Sequence, residues 1–390
     1  MDQPRQPRRT VRLAAFLLAA LALVATLAPC EAAARQYFNP SHYYSRTPGW
    51  EIVFKPSPEG TPGIVAPAHI VINRYGLRGD PPGSGHPRIV AVGGSTTEDV
   101  MLNDAETWPG RLQALLRAYL PGAWVGNMGK AGTNAIHHAI QIDKVLPQLP
   151  GVDLVIVLVG LNDMLYDFHI HHPADLPASW HELQAFMYAP PPTPSLAERS
   201  ALYQLVARVV EGLPRLGDRE ASVVREVEFG KTMERYRARR AQVQSDDMIE
   251  TPPDMTQALA GYRARLERIA DAAARHGVRV VFLTQPSLWK PDMNAAERKL
   301  LYAGGLGSTD EWFVNPRTKW YGVAPLAAML KSYNDTLLAF CAARGLPCVD
   351  LAGELPKSAA MFYDDFHFSA AGAAAVADIV RRGIQRLNLR

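Results

Sequence analysis

The chain is poor in cysteine, with three in 390 residues, at positions 30, 341 and 348. That leaves no basis for a disulfide-dense scaffold or a multi-cysteine metal site. It also lacks an excess of charge of one sign: 41 basic residues face 38 acidic ones, for a formal net charge of +3. A nucleic-acid partner is therefore not implied. No Gly-Lys-Ser or Gly-Lys-Thr follows the glycine-flanked turn at Gly93-Gly94-Ser95, which argues against a nucleotide-phosphate loop. His169, His171 and His172 cluster without complementary carboxylate or cysteine spacing. They read as a solvated loop, and no metal or organic cofactor is expected.

What is present is ordinary globular material, 48% hydrophobic and 20% charged, enough for one large or two modest domains. The amino terminus stands apart. Arg5, Arg8, Arg9 and Arg12 precede an uncharged apolar run from Leu13 to Ala28, followed by Ala32-Ala33-Ala34. This is the outline of a secretory signal, and the run is at the short edge for a membrane span. Residues 1–34 are read as a signal peptide or an uncleaved signal anchor, with the body exported to the periplasm, to the exterior or to the outer side of a membrane. In an oxidising compartment Cys341 and Cys348, across the turn Arg344-Gly345-Leu346-Pro347, are placed either to pair or to remain two small core residues.

Residues 35–87 are rich in Pro, Gly, Tyr and Trp with little periodicity and read as a wrapping extension. From Arg88 short apolar runs alternate with helical stretches. The runs are Ile89–Val92, Trp124–Asn127, Leu154–Val159, Val278–Leu283 and Pro347–Leu351, and the helical stretches are Trp108–Leu120, Asn134–Leu146, Met255–His276, Pro325–Arg344 and Ser369–Leu387. That alternation predicts an α/β fold with a five-stranded parallel sheet between two helical layers. It spans 88–164 and 255–390 and is interrupted by a long insertion, 165–254, read as a lid. Within the insertion Leu196–Leu213 and Ala221–Gln244 are predicted helices, the second exposing Arg235, Arg237, Arg239 and Arg240 as a solvated face.

In such a sheet the ligand site lies beyond the carboxyl ends of the strands. Four segments fall there: Gly93-Gly94-Ser95 after the first strand, Asn127 to Gly132 after the second, Gly160-Leu161-Asn162-Asp163 after the third, and Asp364-Asp365-Phe366-His367 before the last helix. Each alone reads equally well as a cap or turn. In this order they resemble the SGNH, or GDSL-like, hydrolase family, in which Ser, Gly, Asn and His occupy successive blocks. The first block departs from the usual Gly-Asp-Ser, but the serine is kept; the fourth is followed by Ser369-Ala370-Ala371-Gly372.

The resemblance implies a three-layer, flavodoxin-like core and a serine esterase. Ser95 is then the nucleophile, His367 the base and Asp364 its orienter, with Asp365 the competing candidate. The Ser95 and Gly132 amides and the Asn162 side chain supply the oxyanion hole. Export favours short-chain, especially O-acetyl, esters on envelope or extracellular polysaccharide; small lipid esters remain open. Transfer of the acyl group to a sugar hydroxyl, or a carbohydrate-binding role on a retired scaffold, are the alternatives. Trp289 is placed either in the pocket or in the core.

Overall fold

The computed structural model describes residues 8–37, 46, 51–171, 200–203, 206 and 225–386. Two compact units are formed, one from 1–43 with 190–223 and one from 44–189 with 224–390. In the first, the described residues are chiefly one helix, Arg8–Tyr37. Its Glu31 carboxylate accepts hydrogen bonds from Ser200 Oγ at 2.6 Å and from the Ala201 and Leu202 amides at 3.0 Å. Among the described residues, no helix is long and apolar enough to cross a membrane. The predicted helix Leu196–Leu213 and the proline-rich stretch before it lie largely outside the described residues.

The second unit carries a five-stranded, all-parallel sheet. Its strands are β1 (Arg88–Gly93), β2 (Trp124–Asn127), β3 (Leu154–Leu158), β4 (Arg279–Leu283) and β5 (Cys348–Val349), in spatial order β2-β1-β3-β4-β5. This is the doubly wound order, in which the connections leave β1 and β3 in opposite directions and open a crevice at their carboxyl ends. Every residue of β3, Leu-Val-Ile-Val-Leu, is buried, as a strand covered by helices on both faces requires.

The helices of this second unit include α1 (Ser95–Glu98), α2 (Trp108–Arg117), α3 (Ala135–Val145), α4 (Leu161–Asp167), α5 (Phe229–Ala241), α6 (Thr256–Arg275), α7 (Val323–Arg344) and α8 (Ala370–Gln385). They fall into two packed groups, α2 with α8 and α3 with α6 and α7. Local sequence explains their ends. Thr107 accepts from Gly110 N at the start of α2, and Ser369 accepts from Gly372 N at the start of α8; each hydroxyl satisfies an amide that has no partner within its helix. At the end of α7 the chain turns at Gly345, and Cys341 and Cys348 are joined by a disulfide with Cα atoms 6.1 Å apart.

Two expectations are corrected. The stretch 221–244 is not one helix: Arg225–Val227 forms a strand pairing in parallel with Glu51–Phe54, and helix begins only at Phe229. The open edge of the hairpin formed by Glu51–Phe54 and Ala68–Val71 takes up this segment, so tertiary pairing overrides its local helical pattern. Nor do the arginines of α5 form one solvated face: Arg235 is exposed as expected, but Arg237 and Arg240 are half-buried. Arg239 is buried, with Nε donating to Trp312 O at 2.6 Å and Nη2 to Pro316 O at 3.1 Å. Arg240 donates to Ala303 O, and Arg237 to Leu300 O at 3.0 Å and Tyr363 O at 2.6 Å. These guanidiniums fasten α5 to main-chain carbonyls of the segment 300–316 and to that of Tyr363. Arg235 instead lies over the ring of Phe313.

The extension before β1 is likewise fastened by an arginine. Arg78 is 4% exposed, and its guanidinium donates to the carbonyls of Glu98, Asp99 and Leu102 and to the Asp104 carboxylate. It therefore fixes the loop that follows α1. Arg78→Ala takes a donor from three carbonyls, of which Asp99 O alone keeps another, the Leu102 amide at 3.0 Å, and urea unfolding is expected to show a loss of about 3 kcal/mol or more; a loss below about 1 kcal/mol would contradict the clamp.

Candidate active site

Ser95 is the first residue of α1, immediately beyond β1. Gly94 before it has no room for a side chain, because a Cβ there would lie 2.4 Å from Asn162 Nδ2. The nucleophile turn and the third block are thus in direct contact. Across the cleft, His367 Nε2 lies 2.8 Å from Ser95 Oγ, and its Nδ1 lies 2.7 Å from Asp364 Oδ2.

The two neighbouring aspartates have separate tasks. Asp364 is fully buried, and its Oδ1 accepts the Phe366 and His367 amides at 3.0 and 2.7 Å while Oδ2 takes the imidazole. Asp365 points elsewhere: its carboxylate accepts from Trp289 Nε1 at 2.8 Å and from the Tyr302 and Ala303 amides at 2.7 and 3.0 Å. Asp365 therefore anchors the loop and does not orient the base. Trp289, fully buried, belongs to the core and to this anchor, not to a pocket wall. Tyr363 stacks on the His367 ring, centroids 5.6 Å apart at 10°.

Burial disfavours the imidazolium of His367, but the charge and hydrogen bond of Asp364, helped by Asp99 and Asp365, outweigh it and hold the pKa above the ordinary 6.5. Because Asp364 is an acceptor at Nδ1, that nitrogen carries the proton in the neutral ring, and Nε2 presents a lone pair to the serine hydroxyl.

The second block is held against the nucleophile turn. Asn127 bridges Thr97 O and Gly129 N at 2.8 and 2.9 Å, Lys130 N donates to Gly93 O at 3.0 Å, and Ala131 N donates to Glu98 Oε2 at 2.7 Å. Glu98 in turn pairs with Arg46 of the extension at 2.5 Å. Gly132 follows with φ +76°, a left-handed backbone that glycine adopts without a Cβ clash. Asn162 Nδ2 gives one proton to Thr133 O at 2.7 Å, which orients the amide and leaves its second N–H for another acceptor. Ser95, Thr133 and Asn162 line one cleft.

Behind this cleft, Asp163 is fully buried; its Oδ2 accepts Ala135 N at 3.0 Å, and Oδ1 lies 2.7 Å from Arg265 Nε in an ion pair off the N–H axis. Burial pushes its carboxyl up to about 6, with Arg265 opposing. Arg265 also pairs with Asp167, which accepts from Tyr333 Oη at 2.6 Å. The hydrogen bond from Ala135 N ties the third block to the start of α3, and the ion pair ties it to α6.

The histidine loop is not solvated as expected. Ile170–His171 pairs with Gly307–Ser308, and the His171 ring lies 4.6 Å from Trp312 and 5.4 Å from Tyr302. Strand pairing draws it into an aromatic cluster. Among the described residues no group of three or more His, Cys, Asp or Glu is placed to hold a metal; His172 lies outside them.

Sequence reading missed Asp99, four residues beyond the serine. It is fully buried with φ 52°, and neither carboxyl oxygen has a hydrogen-bond partner. Burial pushes it up to about 8, with His367 and Arg78 opposing and Asp364 adding to the rise. The folded state therefore binds this proton more tightly than the unfolded chain, and Asp99 costs stability as pH rises from the ordinary carboxylate range through about 8. Asn tolerates the same backbone. Asp99→Asn should gain melting temperature relative to the parent as pH is raised from 6 to 9; a difference independent of pH would contradict the buried-acid assignment.

Residues 91–375 match the GDSL-like Lipase/Acylhydrolase family. No curated protein matches the sequence. Among solved structures, the chain is similar to an alpha/beta hydrolase enzyme from the metagenome of Lake Arreo, Spain, at 15% identity over 78% of this chain and 98% of that one, with a TM-score of 0.38. It is also similar to an acetylxylan esterase from Geobacillus stearothermophilus, at 13% identity over 77% and 94% of the two chains, with a TM-score of 0.40. The family match, which spans most of the chain and all four blocks, carries the assignment. The chain belongs to the GDSL-like lipase/acylhydrolase, or SGNH, family, and it is a serine ester hydrolase.

Proposed function

We propose that this protein is an exported esterase that cleaves short-chain O-acyl esters, with envelope or extracellular polysaccharide as the alcohol side of the ester, through an acyl-enzyme on Ser95. The observation that carries the reading is the continuous relay from Asp364 to His367 to Ser95, with hydrogen-bond distances of 2.7 and 2.8 Å. Nothing else in the fold requires a nearly buried histidine to face a serine hydroxyl at the mouth of a cleft.

In the first step Ser95 Oγ bonds to the ester carbonyl carbon, its proton passes to His367 Nε2, and the carbonyl electron pair moves onto oxygen. The imidazolium that forms is stabilised by Asp364. The Ser95 and Gly132 amides and the free Asn162 N–H receive the oxyanion. Collapse breaks the bond to the alcohol, which leaves with the proton from His367. Water then repeats the sequence and releases the acid, with His367 again taking and returning a proton. The residues present account for each transfer without a further group.

Export is supported by the basic and then apolar amino-terminal segment and by the Cys341–Cys348 disulfide, since such bonds persist in oxidising compartments. A sugar-linked ester is favoured by that location.

Ser95→Ala should lower kcat by roughly 10⁶-fold and abolish labelling by a fluorophosphonate. Asn162→Ala should slow turnover roughly 10²- to 10³-fold with the base intact. Full activity or labelling in the folded Ser95→Ala protein would overturn the reading. Because the base works only when neutral and its pKa is raised, kcat/KM should climb with pH through an ionisation above 6.5. An acidic limb centred at or below that value would contradict the Asp364 pairing.

A further inference from the structure

The cleft beside Ser95 is bounded by Thr96, Gly160, Leu161, Asn162 and Gln285, and its open volume is only about 10 Å³. Gln285 comes from the segment just beyond β4, far in sequence from the four blocks, and is 2% exposed. Its side chain and backbone are both tied. Oε1 accepts from Thr96 Oγ1 at 3.1 Å and Nε2 donates to Pro286 O at 3.0 Å, while the backbone amide and carbonyl exchange 2.9 Å hydrogen bonds with the Asn334 side chain of α7.

A wall held at four points does not yield cheaply. Displacing it breaks bonds of a buried amide that has no water to replace them, and forcing extra methylenes into a closed site strains the surrounding side chains. The partner of Oε1 is the residue next to the nucleophile, and Gln285 and Ser95 line the same cleft. We infer that Gln285 limits the acyl chain, holding acceptance to acetyl-sized groups. This rests on Ser95 being the nucleophile. It goes beyond that assignment by naming the residue that sets the substrate class.

The test is kcat/KM of the full chain on p-nitrophenyl acetate, butyrate and hexanoate. The parent should prefer acetate to butyrate by roughly tenfold or more, the range by which a closed apolar site separates substrates that differ by a methylene or two. Gln285→Ala should reduce that preference at least tenfold, chiefly by gain on butyrate. Should Gln285→Ala fail to fold, Gln285→Ser serves the same comparison, since it also removes the wall. The inference is overturned if the parent takes hexanoate as readily as acetate, or if the folded Ala or Ser variant keeps the parental ratio. Either result leaves Ser95 as nucleophile untouched. By contrast, hydrolysis of all three esters by Ser95→Ala would remove the nucleophile and the inference together.

Discussion

A fully buried carboxylate must be given donors, and at Asp364 they come from its own turn. The Phe366 and His367 amides and the His367 ring bond its two oxygens, so the same negative charge shapes the backbone, chooses the tautomer and raises the basicity of the imidazole. The turn is in turn held from outside by Asp365, through Trp289, Tyr302 and Ala303. Adjacent aspartates thus do opposite things: one faces the cleft and serves the base, the other faces the core and keeps the first in place.

The remaining blocks are carried by strand ends of the parallel sheet, but strand ends alone do not set a hydroxyl and an amide to within hydrogen-bonding distance. That precision comes from cross-links between loops. Glu98 reaches the amide of Ala131, Asn127 reaches back to Thr97, Asn162 reaches Thr133, and Asp163 holds the start of α3. The extension adds Arg78 beneath the nucleophile loop and Arg46 against Glu98. Support of this kind is what preorganised donors require, since an oxyanion hole lowers a barrier only if its dipoles need not reorient during the reaction.

Much of this was legible from periodicity. The five apolar runs became the five strands and the amphipathic stretches became α2, α3, α6, α7 and α8, because a strand buried on both faces and a helix with one apolar stripe leave strong local signals. Failure came where a segment's conformation is set by a distant partner. Arg225–Val227 is a strand only because Glu51–Phe54 offers an edge, and Arg237, Arg239 and Arg240 are drawn inward because carbonyls between Leu300 and Pro316, and that of Tyr363, accept their protons. His171 entered an aromatic cluster through its pairing with Ser308. None of these partners is near in sequence.

The sequence by itself determined the order of strands and helices and the four blocks that name the family, because each is a local pattern whose residue types suit only a few structures. Only the tertiary structure decided between Asp364 and Asp365, placed Trp289 in the core, joined Cys341 to Cys348, and revealed Asp99 and Gln285 beside the site. The physical reason is common to all of them. Burial, hydrogen-bond satisfaction and the width of a cleft depend on what the rest of the chain brings to a residue, and a single position in a sequence does not record its neighbours in space.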